Sequence, residues 1–243
     1  MQYQNHSDQC QPHMLRQLYE PLWGLILPEL CPRCESRTNA GFCTLCHGDF
    51  VRNHDACAIC GLGPCADGSA VCRVHSSVWH TDAVLAPFVL RPPLEHYIYG
   101  LKFAGRRSFG RACGQLLARD AFARRSHVDA LVSVPLHAER LLERGYNQAL
   151  EIARSVSYEL RLPILRSGVI RARATPPQTS LSAEARLTNL RSAFVVRRDL
   201  RGLKLAIIDD VITTGATVNA LALSLRGAGA TYVEAWAVAR TPR

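Results

Sequence analysis

The sequence predicts an α/β protein: a mostly parallel sheet covered on both faces by helices, with a small cysteine-rich module ahead of it. Two observations carry this. From about Asp82 onward, apolar β-branched runs alternate with stretches of helical spacing, the pattern of strands joined through helices. Upstream, eight of the ten cysteines crowd between Cys31 and Cys72, where apolar side chains are sparse. A segment of that texture cannot bury enough core to hold itself and needs another source of stability. The 243 residues are 48% hydrophobic and 20% charged, which suits a globular protein and excludes dominant disorder. No apolar run nears the roughly 18 residues that span a bilayer. The longest, Leu22 to Leu30, carries Glu29.

Taken in order, residues 1–30 form an N-terminal amphipathic segment, with Leu15, Leu18, Leu22, Trp23 and Leu25 on one side and Pro28 as its stop. The opening MQYQNHSDQC lacks a charged-then-apolar leader, so a cytoplasmic protein without membrane insertion is expected. Residues 31–80 are the cysteine module and residues 81–243 the sheet domain. Strands are expected at residues 83–90, 130–135, 164–170, 193–196, 205–208 and 232–239. Helices are expected at 108–125, 141–160 and 217–226, the last ended by Gly227 and Gly229. Residues 171–191 are polar and carry two prolines. They read as a long loop, partly helical near 183–190, and loops of that length are often functional.

The cysteines fall as Cys31-x2-Cys34, Cys43-x2-Cys46, Cys57-x2-Cys60, a lone Cys65, and Cys72-x2-His75. In a chain without an export leader, paired knuckles at this spacing point to zinc rather than to disulfides. The first quartet is complete. The second takes Cys57, Cys60 and Cys72 with either His75, which restores the two-residue spacing, or Cys65. Sequential or crossed pairing of the knuckles stays open. Two Zn2+ ions, each with four protein ligands and no position for water, are structural. A redox reading fails because four knuckles are too many.

The net charge is +9, unevenly spread. Residues 1–80 hold five basic and seven acidic side chains, residues 81–243 hold 24 and 13. All the surplus positive charge therefore lies in the sheet domain. Thiolate-bound zinc makes the first 80 residues more negative still, a poor surface for a phosphate backbone. Only Lys102 and Lys204 are lysine, and the arginine fork suits phosphate oxygens.

The sharpest chemistry lies at 205–217, LAIIDDVITTGAT. An apolar strand is followed at its carboxyl end by Asp209 and Asp210. Thr213, Thr214, Gly215, Ala216 and Thr217 then turn into a helix. Open α/β sheets bind ligands at that end of their strands. A glycine-bearing turn at a helix start aims backbone N–H groups at an anion. Carboxylates repel phosphate but accept hydrogen bonds from sugar hydroxyls and can help hold Mg2+. A phosphate beside a diol beside a metal describes a ribose 5-phosphate donor. No GKS or GKT follows the glycine, which excludes a P-loop.

This segment resembles the PRPP-binding signature of type I phosphoribosyltransferases (PRPP is phosphoribosyl pyrophosphate). The resemblance implies that Asp209 and Asp210 contact the ribose hydroxyls and that Thr213–Thr217 hold the 5-phosphate. Residues 131–136, LVSVPL, look like the strand and turn that bind pyrophosphate in that fold, through Ser133 and Pro135. Lys102, Arg106, Arg107, Arg144, Asn147, Gln148, Gln178 and Arg186 sit in or beside these segments and are pyrophosphate or loop candidates. With the cysteine module, residues 20–243 are similar to the ComF family (also seen in GntX-like proteins). That likeness implies a double zinc ribbon joined to a type I phosphoribosyltransferase-like domain, with some members linked to DNA uptake in natural competence. His75 departs from the family pattern, which usually has cysteine there.

Two functions are then expected. One is an enzyme that binds PRPP with Mg2+ and transfers phosphoribosyl to an unknown acceptor. The other is a non-catalytic accessory protein of DNA uptake that binds PRPP, a nucleotide or single-stranded DNA beside DNA-uptake proteins. An aromatic content of 7% counts against a base-stacking surface. No Ser-His-Asp or paired-carboxylate hydrolase reading is supported. The cysteine module and residues 1–30 are the material left to cover an acceptor, so the module is expected at the carboxyl edge of the sheet.

Overall fold

A computed structural model describes residues 29–63, 72, 79–124, 127–165, 167–171 and 193–242. Its elements, in chain order, are α1 (Thr44–Gly48), β1 (Ala83–Leu85), β2 (Phe88–Val89), α2 (Leu94–Phe103), α3 (Ser108–Ala123) and β3 (Ala130–Ser133). They continue with α4 (Ala138–Arg144), α5 (Gln148–Leu160), β4 (Val169–Arg171), β5 (Phe194–Val196), β6 (Lys204–Ile212), α6 (Ala216–Gly227) and β7 (Tyr232–Arg240). The main sheet runs β1–β7–β6–β3, with β2 also on β7, and every pairing is parallel. β4 and β5 form a separate antiparallel pair flanking residues 172–192.

β6 and β7 are buried almost throughout, as central parallel strands covered on both faces must be. One face packs on α2, α3 and α5 through Leu101, Leu116, Leu117, Ile152 and Val156. The other packs on α6 and β5 through Val218, Leu221, Leu225 and Phe194. The α/β class expected from the alternation is therefore the class observed.

Several element boundaries differ from expectation, each for a local reason. The strand expected over 83–90 is two short strands, both on β7 but separated by Ala86-Pro87, where proline lacks a ladder donor. The helix expected over 141–160 is α4 and α5, because Gly145 ends α4 in the left-handed region at φ +72°. Residues 164–170 are not one strand. Ile164 makes an isolated parallel bridge to Leu131, and 169–171 belong to the second sheet. The sequence reading missed α2, whose aromatic and β-branched residues have modest helix propensity and which follows two prolines. The partly helical stretch expected near 183–190 lies outside the described residues, as does the segment over 1–28.

The first cysteines sit against the sheet domain. Phe42 meets Phe50 and Tyr97 edge-to-face at centroid distances of 4.9 and 4.8 Å, and Phe50 meets Phe88 at 5.8 Å. Cys31 and Cys46 are buried in the same cluster. Backbone bonds from Val89 N to Val51 O (2.9 Å), Asn53 N to Pro87 O (2.9 Å) and Val84 N to Ala58 O (2.7 Å) cover the edge that β1 and β2 would otherwise expose.

Candidate anion and metal sites

The strand carrying the acid pair is longer than expected. β6 continues through Ile212, so Asp209 and Asp210 lie within it rather than beyond it. β7 sustains the ladder, with Asp209 opposite Ala237 and Ile212 opposite Arg240. Asp210 is 3% exposed. Its Oδ1 accepts from Val211 N (2.7 Å) and faces Lys102 Nζ at 3.1 Å, while Oδ2 has no hydrogen-bond partner. A buried acceptor left open in this way calls for a donor or a cation. Asp209 is half-buried, and its Oδ1 accepts from Asp210 N at 2.9 Å. Burial, and then the charge of Asp210, push the Asp209 carboxyl up to about 8.

The turn that follows leaves Thr213, Thr214 and Ala216 exposed and Thr217 half-buried. Gly215 caps α6 at φ +84°, a left-handed conformation that favours glycine. A Cβ on Gly215 would also overlap the Trp79 indole. Thr214 Oγ1 accepts from Ala216 N at 3.3 Å. The amides at the start of α6 thus follow the acid pair closely in the chain.

On the neighbouring strand, Ser133 pairs with Ile208. A cavity of about 450 Å³ opens next to it, lined by Ser133, Pro135, Arg107 and Asn147, with Tyr146, Glu151, Arg154 and Arg171. Of the other sequence candidates, Lys102 is at Asp210. Arg106 lies over Phe109 (5.4 Å) and Arg144 over Phe103 (5.1 Å). Arg107 pairs with Glu151 at 2.7 Å. Asn147 caps α5 through Ala149 N and Leu150 N, and its Nδ2 donates to Val134 O. Gln148 is buried at the start of α5. Gln178, Arg186, Cys65 and His75 lie outside the described residues.

Cys31, Cys34, Cys43 and Cys46 bring their sulfur atoms within 4.8 Å of one another, and so do Cys57, Cys60 and Cys72. No described cysteine is in a disulfide. Hydrogen bonding from the Cys46 backbone is the main cause holding the Cys43 thiol down to about 6, whereas burial pushes Cys46 and Cys60 up to about 12. Four thiolates this close repel unless a cation sits among them. The first cluster has four thiols and the second three among the described residues, a donor set that could hold zinc. The second cluster reaches the anion turn: Arg240, 3% exposed, donates from Nε to Cys60 O at 3.0 Å and from a terminal nitrogen to Ile212 O at 2.8 Å and to Thr213 O. Nothing in the sequence marked Arg240 or Trp79, because their importance comes from which backbone atoms the fold brings to them.

No protein-family model matches the chain. The chain is 33% identical over 228 residues to DNA utilization protein YhgH of Salmonella typhimurium, an alignment spanning 89% of this chain and 99% of that protein. It is 32% identical over 224 residues to Competence protein F of Haemophilus influenzae, spanning 86% and 96%. The chain belongs to the ComF family. Among solved structures, this ComF chain is similar to the allosteric regulatory enzyme of purine biosynthesis, at TM-score 0.39 and 21% identity over 54% of this chain and 26% of that one.

The acid pair of this ComF protein has a consequence for stability. Asp209 titrates near 8 in the fold against an ordinary 3.8. A raised carboxyl stabilises fully below its unfolded value, and that stability is lost as pH rises through the folded one. Asp209→Asn, neutral at every pH, is therefore expected to melt with the wild type near pH 4 and above it at pH 8. Calorimetric melting across that range checks this, and a constant difference between the two proteins would remove the assigned shift. Among the described residues no helix is long and apolar enough to cross a membrane.

Proposed function

We propose that this protein binds PRPP at the carboxyl end of β6 and transfers its phosphoribosyl group to a nitrogen nucleophile, in the handling of DNA that its relatives' names describe. The observation that carries the reading is the Asp209–Asp210 pair, with one buried oxygen unpartnered, two residues ahead of a glycine-capped turn. The turn's amides suit a terminal phosphate, and the pair suits the hydroxyls of the attached sugar. Ser133 and Pro135 on the adjacent strand tip, with Arg107 across the cavity, suit the pyrophosphate.

In that reaction the bond from ribose C1 to pyrophosphate breaks as the acceptor nitrogen bonds to C1, and positive charge builds on the sugar. The acid pair holds the diol, the Asp210 carboxylate faces that charge, and arginine stabilises the departing anion. Oxygen ligands from the acid pair and from pyrophosphate fit Mg2+, which when bound would neutralise leaving-group charge. Incubation with PRPP, Mg2+ and a panel of nucleobases is expected to release pyrophosphate with one of them. Absence of calorimetric heat on titration with PRPP would end the reading.

A second reading, a surface for single-stranded DNA, is favoured by one observation. Tyr99 and Phe103, one turn apart on α2, are 47% and 71% exposed with ring centroids 6.0 Å apart, and Arg144 lies over Phe103. The low aromatic content hid this pair, because stacking needs two exposed rings beside a cation rather than many rings. Replacing both rings with alanine is expected to weaken binding of a fluorescein-labelled oligothymidine about tenfold or more, from the loss of base stacking. Unchanged affinity in fluorescence anisotropy would exclude this surface.

A further inference from the structure

We propose that Arg240 and Trp79 are positioning residues that make the anion affinity of the Thr213–Thr217 turn depend on metal in the second cysteine cluster. The inference rests on the reading of that turn as a phosphate cradle. Arg240 sits at the end of β7, where its side chain is buried and links three backbone carbonyls. One belongs to Cys60, a knuckle residue of the second cluster, and two belong to Ile212 and Thr213, the entry to the turn. Guanidinium is planar with donors in a fixed fork, so the three carbonyls are held in one mutual arrangement.

A second set of contacts reaches the same turn from the chain segment that follows the cluster. The Trp79 indole occupies the space a Gly215 side chain would need. His80 N donates to Asn219 Oδ1 on the first turn of α6. Arg226 Nε, from the same helix, donates to His80 O at 2.8 Å and the guanidinium pairs with Asp82. The turn is therefore gripped from the Ile212–Thr213 side by Arg240 and from the Gly215 side by Trp79. The first grip comes from the sheet but is tied through Arg240 to the Cys60 carbonyl, and the second comes from the segment that follows the second cysteine cluster.

Tetrahedral ligation fixes the backbone of a cysteine knuckle, including the Cys60 carbonyl that Arg240 reads. Loss of the metal frees that carbonyl. Arg240 then no longer holds Thr213 in register with the α6 amides, and the cradle pays an ordering cost before it can bind.

The test uses the full-length zinc-loaded protein and two readouts. In calorimetric titration with PRPP, Arg240→Lys keeps the charge but loses the fork. It is expected to retain zinc and weaken binding about tenfold. Cys60→Ser is expected to weaken binding by a similar factor, and the double variant to add little beyond either single one, because both act through one link. Independent, multiplying effects, or wild-type affinity in Arg240→Lys with zinc retained, would overturn the inference. The second readout needs no PRPP. Tryptophan emission should shift to the red in Cys60→Ser relative to wild type, and the shift should be missing when Trp79→Phe is introduced into both. An unchanged spectrum would overturn the coupling even if PRPP binds normally. A protein whose spectrum shifts but which never binds PRPP would instead refute the proposed function and leave the metal-linked clamp standing.

Discussion

Replacing Asp209 and Asp210 together with alanine is expected to abolish detectable PRPP binding in calorimetry while leaving the circular dichroism spectrum and zinc content as in wild type. The loss should be large because the proposed site takes its hydroxyl acceptors from the acid pair. Asp210 is nearly inaccessible and already held by Val211 N and Lys102 Nζ, so its remaining oxygen points in a fixed direction. A preorganised buried acceptor binds a donor without first paying to be ordered. Removing it also leaves Lys102 without its carboxylate, and an unpaired charge near the core destabilises. Asp210→Asn separates the two effects. It keeps an oxygen for Val211 N and the shape of the side chain, while losing the negative charge. If the alanine pair bound PRPP as tightly as wild type, the site would lie elsewhere.

The second large effect concerns zinc. Chelation, or Cys31→Ser, is expected to lower the melting temperature by about 10 °C or more, since structural zinc contributes folding free energy directly and about 3 kcal/mol moves a domain of this size that far. The reason is placement. Cys31 and Cys46 are buried in the cluster that joins Phe42 and Phe50 to Phe88, Tyr97 and Phe109. Freed from the metal, those thiols and rings lose the arrangement that seals the edge of β2 and the face of α2. Cys113 offers a control. It is a single buried thiol on α3, pushed up to about 12 chiefly by burial, and far from either cluster in sequence. Cys113→Ala should leave zinc content unchanged. A melting curve that ignores chelator would mean that the quartet is not a structural metal site.

The strand-to-helix turn proposed to bind an anion was legible before any coordinates because its residues are consecutive in the chain. Strand, acids, threonines and glycine follow one another within thirteen residues, and local geometry does the rest. The cysteine knuckles were legible for the same reason. The helix α2 was not. Its residues look ambiguous alone, and it is helical because Leu94, Ile98 and Leu101 meet a core built by distant strands. Local propensity gives way to tertiary packing in such cases.

The amino-acid order alone thus determined the α/β class, the two cysteine clusters and the run of acids, threonines and glycine proposed to cradle a phosphate, since each is a short-range pattern. The folded chain alone decided that Lys102 meets Asp210, that Tyr99 and Phe103 stand exposed together, and that Arg240 and Trp79 tie the second cluster to the turn. Those contacts join residues up to 180 positions apart. Such pairings are set by how sheet and module pack, and burial energy has no local signature in a sequence that would announce them.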